Sequence, residues 1–110
     1  MASKIEGEKQ KSLGILLASG PSHEDRFTVI KLAQTALQLG IAVKIFLYDE
    51  GVYNCLDDEF MSLDHAGADI TICEQSAKDL NLDIRAPVKR GSLYDLAGIA
   101  NQTDRLVSFT

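Results

Sequence analysis

The stretch from Ala68 to Gln75 has the sequence Ala68-Asp69-Ile70-Thr71-Ile72-Cys73-Glu74-Gln75. Its first part predicts a short strand, and the residues after Cys73 include good helix formers. A strand that runs straight into a helix is typical of a mostly parallel α/β sheet, where reactive groups collect at the carboxyl ends of the strands. The stretch therefore predicts a thiol at the sheet edge where chemistry is expected.

The rest of the chain repeats this alternation of strand and helix. Mostly apolar runs predict strands at 12–19, 41–48, 68–73 and 105–109, of which the first two end at loop signals. Val88 is expected to begin a short fourth strand near 89–91, which makes five strands. Apolar residues at helical spacing occupy the intervals, and residues 52–56 fit either a loop or the start of a helix. The order predicts a three-layer α/β/α sandwich around a mainly parallel five-stranded sheet.

Two segments carry the pattern of a helix capping box. Ser22 precedes Asp25 by three residues, and Ser92 precedes Asp95 by the same spacing. In this motif the serine hydroxyl and the acidic side chain each accept a backbone N–H at the opposite end of the first turn. Helices are therefore predicted to begin at these two serines.

Length and composition indicate one globular domain. The chain has 110 residues, of which 45% are apolar, and a net charge of −5. We expect a flexible N-terminal tail over residues 1–11 and a single domain over residues 12–110. The tail lacks a hydrophobic signal region, and no apolar run reaches the ~20 residues of a membrane span. We therefore expect a cytoplasmic protein that does not associate with membranes.

The charge balance also bears on partners. Nucleic-acid binding depends on clustered lysine and arginine side chains that neutralise phosphates, and this chain is acidic, with a pI of about 4.8. Direct nucleic-acid binding is therefore not expected. A protein partner or a small substrate is the better prediction.

Residue patterns alone leave the role of Cys73 open. The exposed N–H groups and dipole of a helix N-terminus favour the thiolate, which is the nucleophilic form, whereas the adjacent Glu74 opposes it. Cysteine is also among the most frequently buried residues. By pattern alone, a buried residue that merely ends a strand is the favoured interpretation.

Other candidates for chemistry have weaker support. Cys55 follows the second strand and is expected on the same carboxyl edge as Cys73, as a resolving thiol or as an incidental residue. His23 and His65 lie on different elements, and no His/Cys spacing matches a zinc site. The loop at 19–22 lacks the glycine motifs that bind phosphate. Neither a metal nor a cofactor is expected.

Four segments in the right order resemble the DsrE/TusD family of sulfur-relay proteins. Ser19-Gly20-Pro21 is similar to the opening loop of that family, and Glu50-Gly51-Val52-Tyr53-Asn54 resembles the TusD loop after strand two. Ile70-Thr71-Ile72-Cys73 resembles the segment with the sulfur-carrying cysteine. Residues 91–109 resemble the closing helix and strand, so that the resemblance covers nearly the whole chain from Leu13 to Phe109.

The resemblance implies an activity and a site. Cys73 would accept sulfane sulfur as a persulfide and pass it to a thiol on a partner protein, as an intracellular sulfur carrier or sulfurtransferase. Cys55 would be an auxiliary thiol if it takes part. Substrate binding or partner docking would involve the residues of the two resembling loops, namely Gly20, Pro21, Gly51, Val52, Tyr53 and Asn54.

The resemblance also implies partners. These would be the donor and acceptor proteins of a relay, with the chain in a homo-oligomer, trimeric or hexameric, or in a hetero-complex of related subunits. Some family members lack the cysteine and serve as structural subunits. The alternative is therefore a non-catalytic oligomeric interaction subunit whose cysteines are structural.

Overall fold

The computed structural model describes residues 10–84 and 87–110, so most of the predicted N-terminal tail lies outside the described residues. The elements in chain order are β1 Ser12–Leu17, α1 Asp25–Gln38, β2 Ala42–Leu47, a 3₁₀ helix Asp49–Leu56, α2 Asp58–His65, β3 Asp69–Cys73, α3 Glu74–Asp79, β4 Lys89–Gly91, α4 Leu93–Gln102 and β5 Arg105–Phe109. No helix in these ranges is long and apolar enough to cross a bilayer.

The five strands form one parallel sheet in the order β4-β3-β2-β1-β5. The predicted α/β/α sandwich is confirmed, and every strand pair is parallel. Strands β1 and β2 are almost continuously apolar because helices cover the sheet on both faces at its centre. The ambiguous interval at 52–56 belongs to the 3₁₀ helix.

The path of the chain decides which face each helix covers, because crossovers between parallel strands are right-handed. From β1 to β4 the chain moves steadily in one direction, which places α1, α2 and α3 on one face. It then returns across the sheet to β5, which places α4 on the other face. Successive side chains of β2 point to opposite faces of the sheet. Ile45 and Leu47 belong to the main core, whereas Phe46 packs with Ile99 of α4.

The two faces are covered unequally. The main core lies under α1, α2 and α3 and is extensive. On the opposite face, called here the α4 face, the buried cluster consists of Phe46, Cys73 and Ile99, with Leu16 and Leu96 partly buried. A polar recess of about 260 Å³ adjoins it, where Lys89 Nζ lies 2.6 Å from Asp69 Oδ1 and Lys44 Nζ donates to Gln102 Oε1 at 3.2 Å.

The two predicted capping boxes have different outcomes. At α4 the box forms, with Tyr94 N–H donating to Ser92 Oγ at 3.1 Å and Ser92 N–H donating to Asp95 Oδ2 at 2.8 Å. At α1 the prediction is wrong, because the helix begins at Asp25 and its N-cap residue makes no side-chain cap.

The reason is a turn that precedes α1. His23 N–H donates to the Gly20 carbonyl at 3.0 Å, which closes a turn and delays the helix. The Asp25 carboxylate accepts from Ser19 Oγ at 3.1 Å instead of reaching back to Ser22. Asp25 therefore links the start of α1 to the loop that follows β1.

The 3₁₀ helix passes very close to the carboxyl end of β1 at Gly51. Gly51 N–H donates to the Ala18 carbonyl at 3.2 Å, and Tyr48 N–H donates to the Leu17 carbonyl at 3.0 Å. A Cβ built at Gly51 would overlap the Leu17 carbonyl oxygen, which is backbone and cannot rotate away. The approach of these two segments therefore requires glycine.

We predict that Gly51→Ala lowers the free energy of unfolding by at least about 3 kcal/mol, because the new methyl group must displace backbone. Gly98→Ala is the matched control, since a Cβ there meets nothing within 4 Å in the interior of α4. It should stabilise the protein by roughly 0.5–1 kcal/mol. Urea unfolding followed by circular dichroism measures both variants, and a small effect at Gly51 would contradict the close approach.

Candidate functional site

Cys73 ends β3 beside Gly91, its register partner at the end of β4. The thiol belongs to the buried cluster on the α4 face, with Phe46 and Ile99. A Cβ built at Gly91 would come within 2.6 Å of Asp95 Oδ2 and 2.9 Å of Thr71 Cγ2. Glycine therefore lets the first turn of α4 approach the sheet next to the sulfur.

A hydrogen-bond chain connects the thiol to the 3₁₀ helix. Cys73 is the N-cap residue of α3, and its Sγ accepts a hydrogen bond from Ser76 N–H at 3.4 Å. Ser76 Oγ in turn accepts from Asp49 N–H at 2.9 Å. Asp49 has a positive φ of 51°, an uncommon conformation for a residue other than glycine. An N–H group aimed at the sulfur stabilises negative charge there.

A cavity of about 640 Å³ opens at this edge of the sheet, and we call it the Cys73 cavity. The ends of β3 and β4, the residue after β2, helix α3 and the first turn of α4 all contribute to it. Its lining consists of Tyr48, Cys73, Glu74, Gln75, Ser76, Lys78, Asp79, Gly91, Ser92, Leu93, Tyr94 and Asp95. A volume of this size falls in the range of pockets that hold small ligands or short peptide segments.

The residues that line the cavity differ widely in their exposed fraction. Cys73 is 2% exposed, whereas Tyr48 is 36%, Leu93 54% and Tyr94 86% exposed. Exposed aromatic and aliphatic side chains therefore share the lining of the cavity with the buried cysteine. Large exposed side chains of this kind, grouped around a cavity, mark a surface suited to contact with another molecule.

The second cysteine has a different environment. Cys55 is buried in the main core, whereas Cys73 belongs to the cluster on the α4 face, and neither forms a disulfide. Burial raises the pKa of the Cys55 thiol, and the positive charge of Arg90 and a backbone hydrogen bond act in the opposite direction. Both cysteines follow strands at the carboxyl edge, as expected, but they face opposite sides of the sheet.

The predicted loop residues lie around the carboxyl end of β1. Val52 and Asn54 are fully buried, Gly51 is buried, and Gly20, Pro21 and Tyr53 are partly exposed. Asn54 Nδ2 donates to the carbonyls of Ser19 and Gly51, each at 3.0 Å, which joins the two loops. None of these six residues is in the lining of the Cys73 cavity.

Several cavity residues were not predicted as site residues, chiefly Tyr48, Lys78 and the 92–95 segment. The pattern of Ser92 and Asp95 indicated only a helix start. The missing information was the pairing of β4 with β3, which brings the first turn of α4 to Cys73. A short strand that ends in glycine, directly before a helix cap, is the signal that could have indicated it.

The two histidines lie away from this cavity. His23 is exposed before α1, where its Nδ1 accepts from Asp25 N–H at 3.2 Å, and His65 is exposed in the last turn of α2. Within residues 10–84 and 87–110, no group of three or more His, Cys, Asp or Glu side chains could hold a metal ion.

The model of the DsrE/DsrF-like family matches residues 11–109, which is nearly the whole chain. The chain belongs to the DsrE/DsrF-like family. The resemblance drawn from the sequence is therefore confirmed at the level of the family. Among curated proteins, none matches this sequence.

Two solved structures have a similar fold. The ychN protein from E. coli superposes with a TM-score of 0.76 at 16% identity, over 92% of this chain and 100% of that one. A conserved protein of unknown function from Bacteroides thetaiotaomicron superposes with a TM-score of 0.75 at 14% identity, over 90% of this chain and 95% of the other. At these identities the similarity establishes the shared fold.

We predict that iodoacetamide modifies Cys73 well before Cys55 in the native protein at neutral pH. Cys73 lines a cavity and its sulfur accepts an N–H, whereas Cys55 lies in the main core and burial raises its pKa. Peptide mapping over time, with denatured protein as the reference for full labelling, measures the two rates. Equal protection of both thiols would contradict an accessible Cys73 and favour structural cysteines.

The raised pKa of Cys55 predicts how stability depends on pH. The unfolded chain begins to release the thiol proton near the ordinary value of 9.0, while the folded chain still holds it. The stability that Cys55 provides is therefore fully present below that pH and is lost as the pH rises through the raised pKa. The difference in unfolding free energy between wild type and Cys55→Ala should shrink from about pH 7 to about pH 10. A constant difference would contradict it.

Proposed function

We propose that the protein is a sulfur carrier that holds sulfane sulfur as a persulfide on Cys73 and passes it to a thiol of a partner protein. The observation that carries the proposal is that Cys73 is the thiol that lines the cavity at the carboxyl edge of the sheet. Membership of the DsrE/DsrF-like family supports it, because Ile70-Thr71-Ile72-Cys73 resembles the segment that holds the sulfur-carrying cysteine in that family.

The transfer is a pair of thiol exchange steps. The Cys73 thiolate attacks the outer sulfur of a donor persulfide, a new sulfur–sulfur bond forms at Cys73, and the donor leaves as a thiolate with the electron pair of the broken bond. An acceptor thiolate then attacks the outer sulfur on Cys73, which leaves as a thiolate in turn. The two steps return the protein to its starting state, with no external oxidant or reductant.

The surroundings of Cys73 suit both steps. Ser76 N–H is aimed at the sulfur and stabilises the negative charge that Cys73 carries as attacking and as leaving group. The low exposure of Cys73 protects a bound persulfide from solvent and from adventitious thiols. Leu93 and Tyr94, which are exposed and line the same cavity, would contact a donor or an acceptor that enters it.

The loops at the end of β1 take a supporting part in this proposal. Val52 and Asn54 are buried and would act by shaping the 3₁₀ helix, which is joined to the thiol through Asp49 and Ser76. Gly51 and Tyr53 belong to the same 3₁₀ helix, whereas Gly20 and Pro21 lie in the loop between β1 and α1 that Asn54 joins to it. The partly exposed residues Gly20, Pro21 and Tyr53 are proposed partner contacts. Cys55 is proposed to have no direct part, because it belongs to the main core.

Assembly and location are further parts of the proposal. Exposed apolar side chains occur at Phe27 of α1, at Leu39 directly after α1, and at Leu106 and Val107 of the edge strand β5. We propose that such surfaces are covered in a homo-oligomer or in a complex with related subunits. Two free cysteines fit a reducing compartment, for which the cytoplasm is the proposed location.

A non-catalytic interaction subunit is the second candidate. The observation that favours it is the 2% exposure of Cys73, which is as low as that of many structural cysteines. In that case Cys73→Ala would cost stability and leave no transfer reaction to lose. A redox pair of Cys55 and Cys73 is disfavoured, because the two thiols belong to clusters on opposite faces of the sheet.

We predict that incubation with a persulfide donor adds one sulfur atom to the protein, measured by intact mass. The adduct should persist in Cys55→Ala and disappear in Cys73→Ala, and a thiol acceptor should remove it. Thermal unfolding of both variants controls for loss of structure. An absence of any adduct on Cys73 with donors of several kinds would reject sulfur transfer and leave the interaction subunit.

A further inference from the structure

The lining of the Cys73 cavity is strongly acidic. Glu74, Asp79 and Asp95 contribute carboxylates, and Lys78 contributes the one cationic side chain of the lining, so that its net charge is −2. Among the described residues no ion pair joins these carboxylates. Asp79 accepts from the Gln75 amide and Asp95 from the Ser92 backbone, which are uncharged donors.

A negatively charged lining is unusual for a site of sulfur exchange. Sulfur exchange brings two anionic sulfurs together, one as the attacking thiolate and the other as the persulfide or the leaving thiolate. A site for small anionic reactants would supply cations to offset that repulsion. The lining offers Lys78 alone against three carboxylates. In the adjoining recess, Lys89 is paired with Asp69 and Lys44 donates to Gln102. A reaction partner that brings its own positive charge therefore complements the lining.

The apolar part of the lining suits the same partner. Tyr48 and Tyr94 are exposed residues of the lining, and a lysine or arginine that stacks on an exposed aromatic ring gains a cation–π interaction. Leu93, which is also exposed, can cover the aliphatic stem of a long cationic side chain. A small inorganic anion would make neither contact.

The geometry points to a cysteine flanked by lysine or arginine, on a segment of a partner protein, as the species that exchanges sulfur with Cys73. This inference rests on the proposed function and specifies its partner. The cationic side chains contact Glu74, Asp79 and the two tyrosines, while the partner sulfur enters the cavity. Small anionic sulfur donors such as thiosulfate are poor substrates for the same reason.

The test uses peptides of equal length that carry one central cysteine persulfide. One peptide has two lysines on each side of the cysteine, a second has glutamates there, and a third has glutamines. In the exchange, the outer sulfur moves to Cys73 and the peptide leaves as its thiolate. We expect the lysine peptide to react at least ~10-fold faster than the glutamate peptide at low ionic strength, with the ratio falling towards one near 1 M salt.

The variant Glu74→Gln/Asp79→Asn removes two carboxylates of the lining and should reduce the preference for the lysine peptide several-fold. The variant Asp58→Asn/Asp64→Asn is the matched control, because it removes the same net charge from exposed positions on α2. It should retain the wild-type preference. Tyr94→Ala should slow the lysine peptide more than the glutamine peptide.

The outcomes separate this inference from the proposed function. Equal rates for the three peptides, or faster transfer from thiosulfate than from the lysine peptide, would overturn the inference while sulfur transfer stands. If no peptide transfers sulfur, the proposed function fails, and binding of the serine counterparts of the peptides by fluorescence anisotropy still decides the charge preference. Tighter binding of the lysine peptide that is lost in Glu74→Gln/Asp79→Asn supports the inference, and equal binding rejects it.

Discussion

The return of the chain from β4 across the sheet to β5 is the constraint on which the candidate site depends. Right-handed crossovers force α4 onto the face opposite α1, α2 and α3. A single helix on that face leaves part of the sheet without helical cover, in the described part of the chain. Cys73 ends β3 beside β4, and its side chain belongs to the cluster on this thinly covered face, near the start of α4. The Cys73 cavity is thus a consequence of strand order rather than of any one loop.

A second constraint fixes the sulfur within that frame. The 3₁₀ helix contacts the end of β1 at Gly51, and Asp49 of the same segment donates to Ser76, whose own N–H points at Cys73. The loops singled out by family resemblance therefore bear on the thiol through backbone hydrogen bonds and not through the cavity wall. This arrangement gives buried residues such as Val52 and Asn54 a structural reason to be present near a reactive edge.

Much of the fold could be predicted from the sequence because each element carries a local signal. The apolar runs and the Ser92–Asp95 box are local signals, and the strands and the helix that they predict lie within a few residues of their observed positions. The Ser22–Asp25 box failed because a competing turn at Gly20 and a bond from Ser19 captured the same carboxylate. A local pattern does not show whether the Asp25 carboxylate binds Ser19 or Ser22 when both residues lie within reach.

The site was less predictable because it depends on contacts between distant elements. The cysteine itself was visible in the sequence, since it falls at a strand end. The neighbours Tyr48, Leu93 and Tyr94 were not, since they require the pairing of β3 with β4 and the face on which α4 lies. Cys55 and Cys73 belong to different clusters because Cys55 lies in the 3₁₀ helix, which packs with the main core, whereas Cys73 ends β3 on the α4 face.

Burial alone does not distinguish the two cysteines. Cys73 is 2% exposed and Cys55 is 3% exposed, a difference too small to assign roles. The two thiols differ in their surroundings. Cys55 faces a packed core, where an anion has no access to solvent or to a partner, and burial raises its pKa. Cys73 faces a cavity with an N–H donor at its sulfur. The proposed sulfur carrier needs a thiol that is sheltered between two exchanges and reached during each of them, and a buried residue that lines an open cavity meets both requirements.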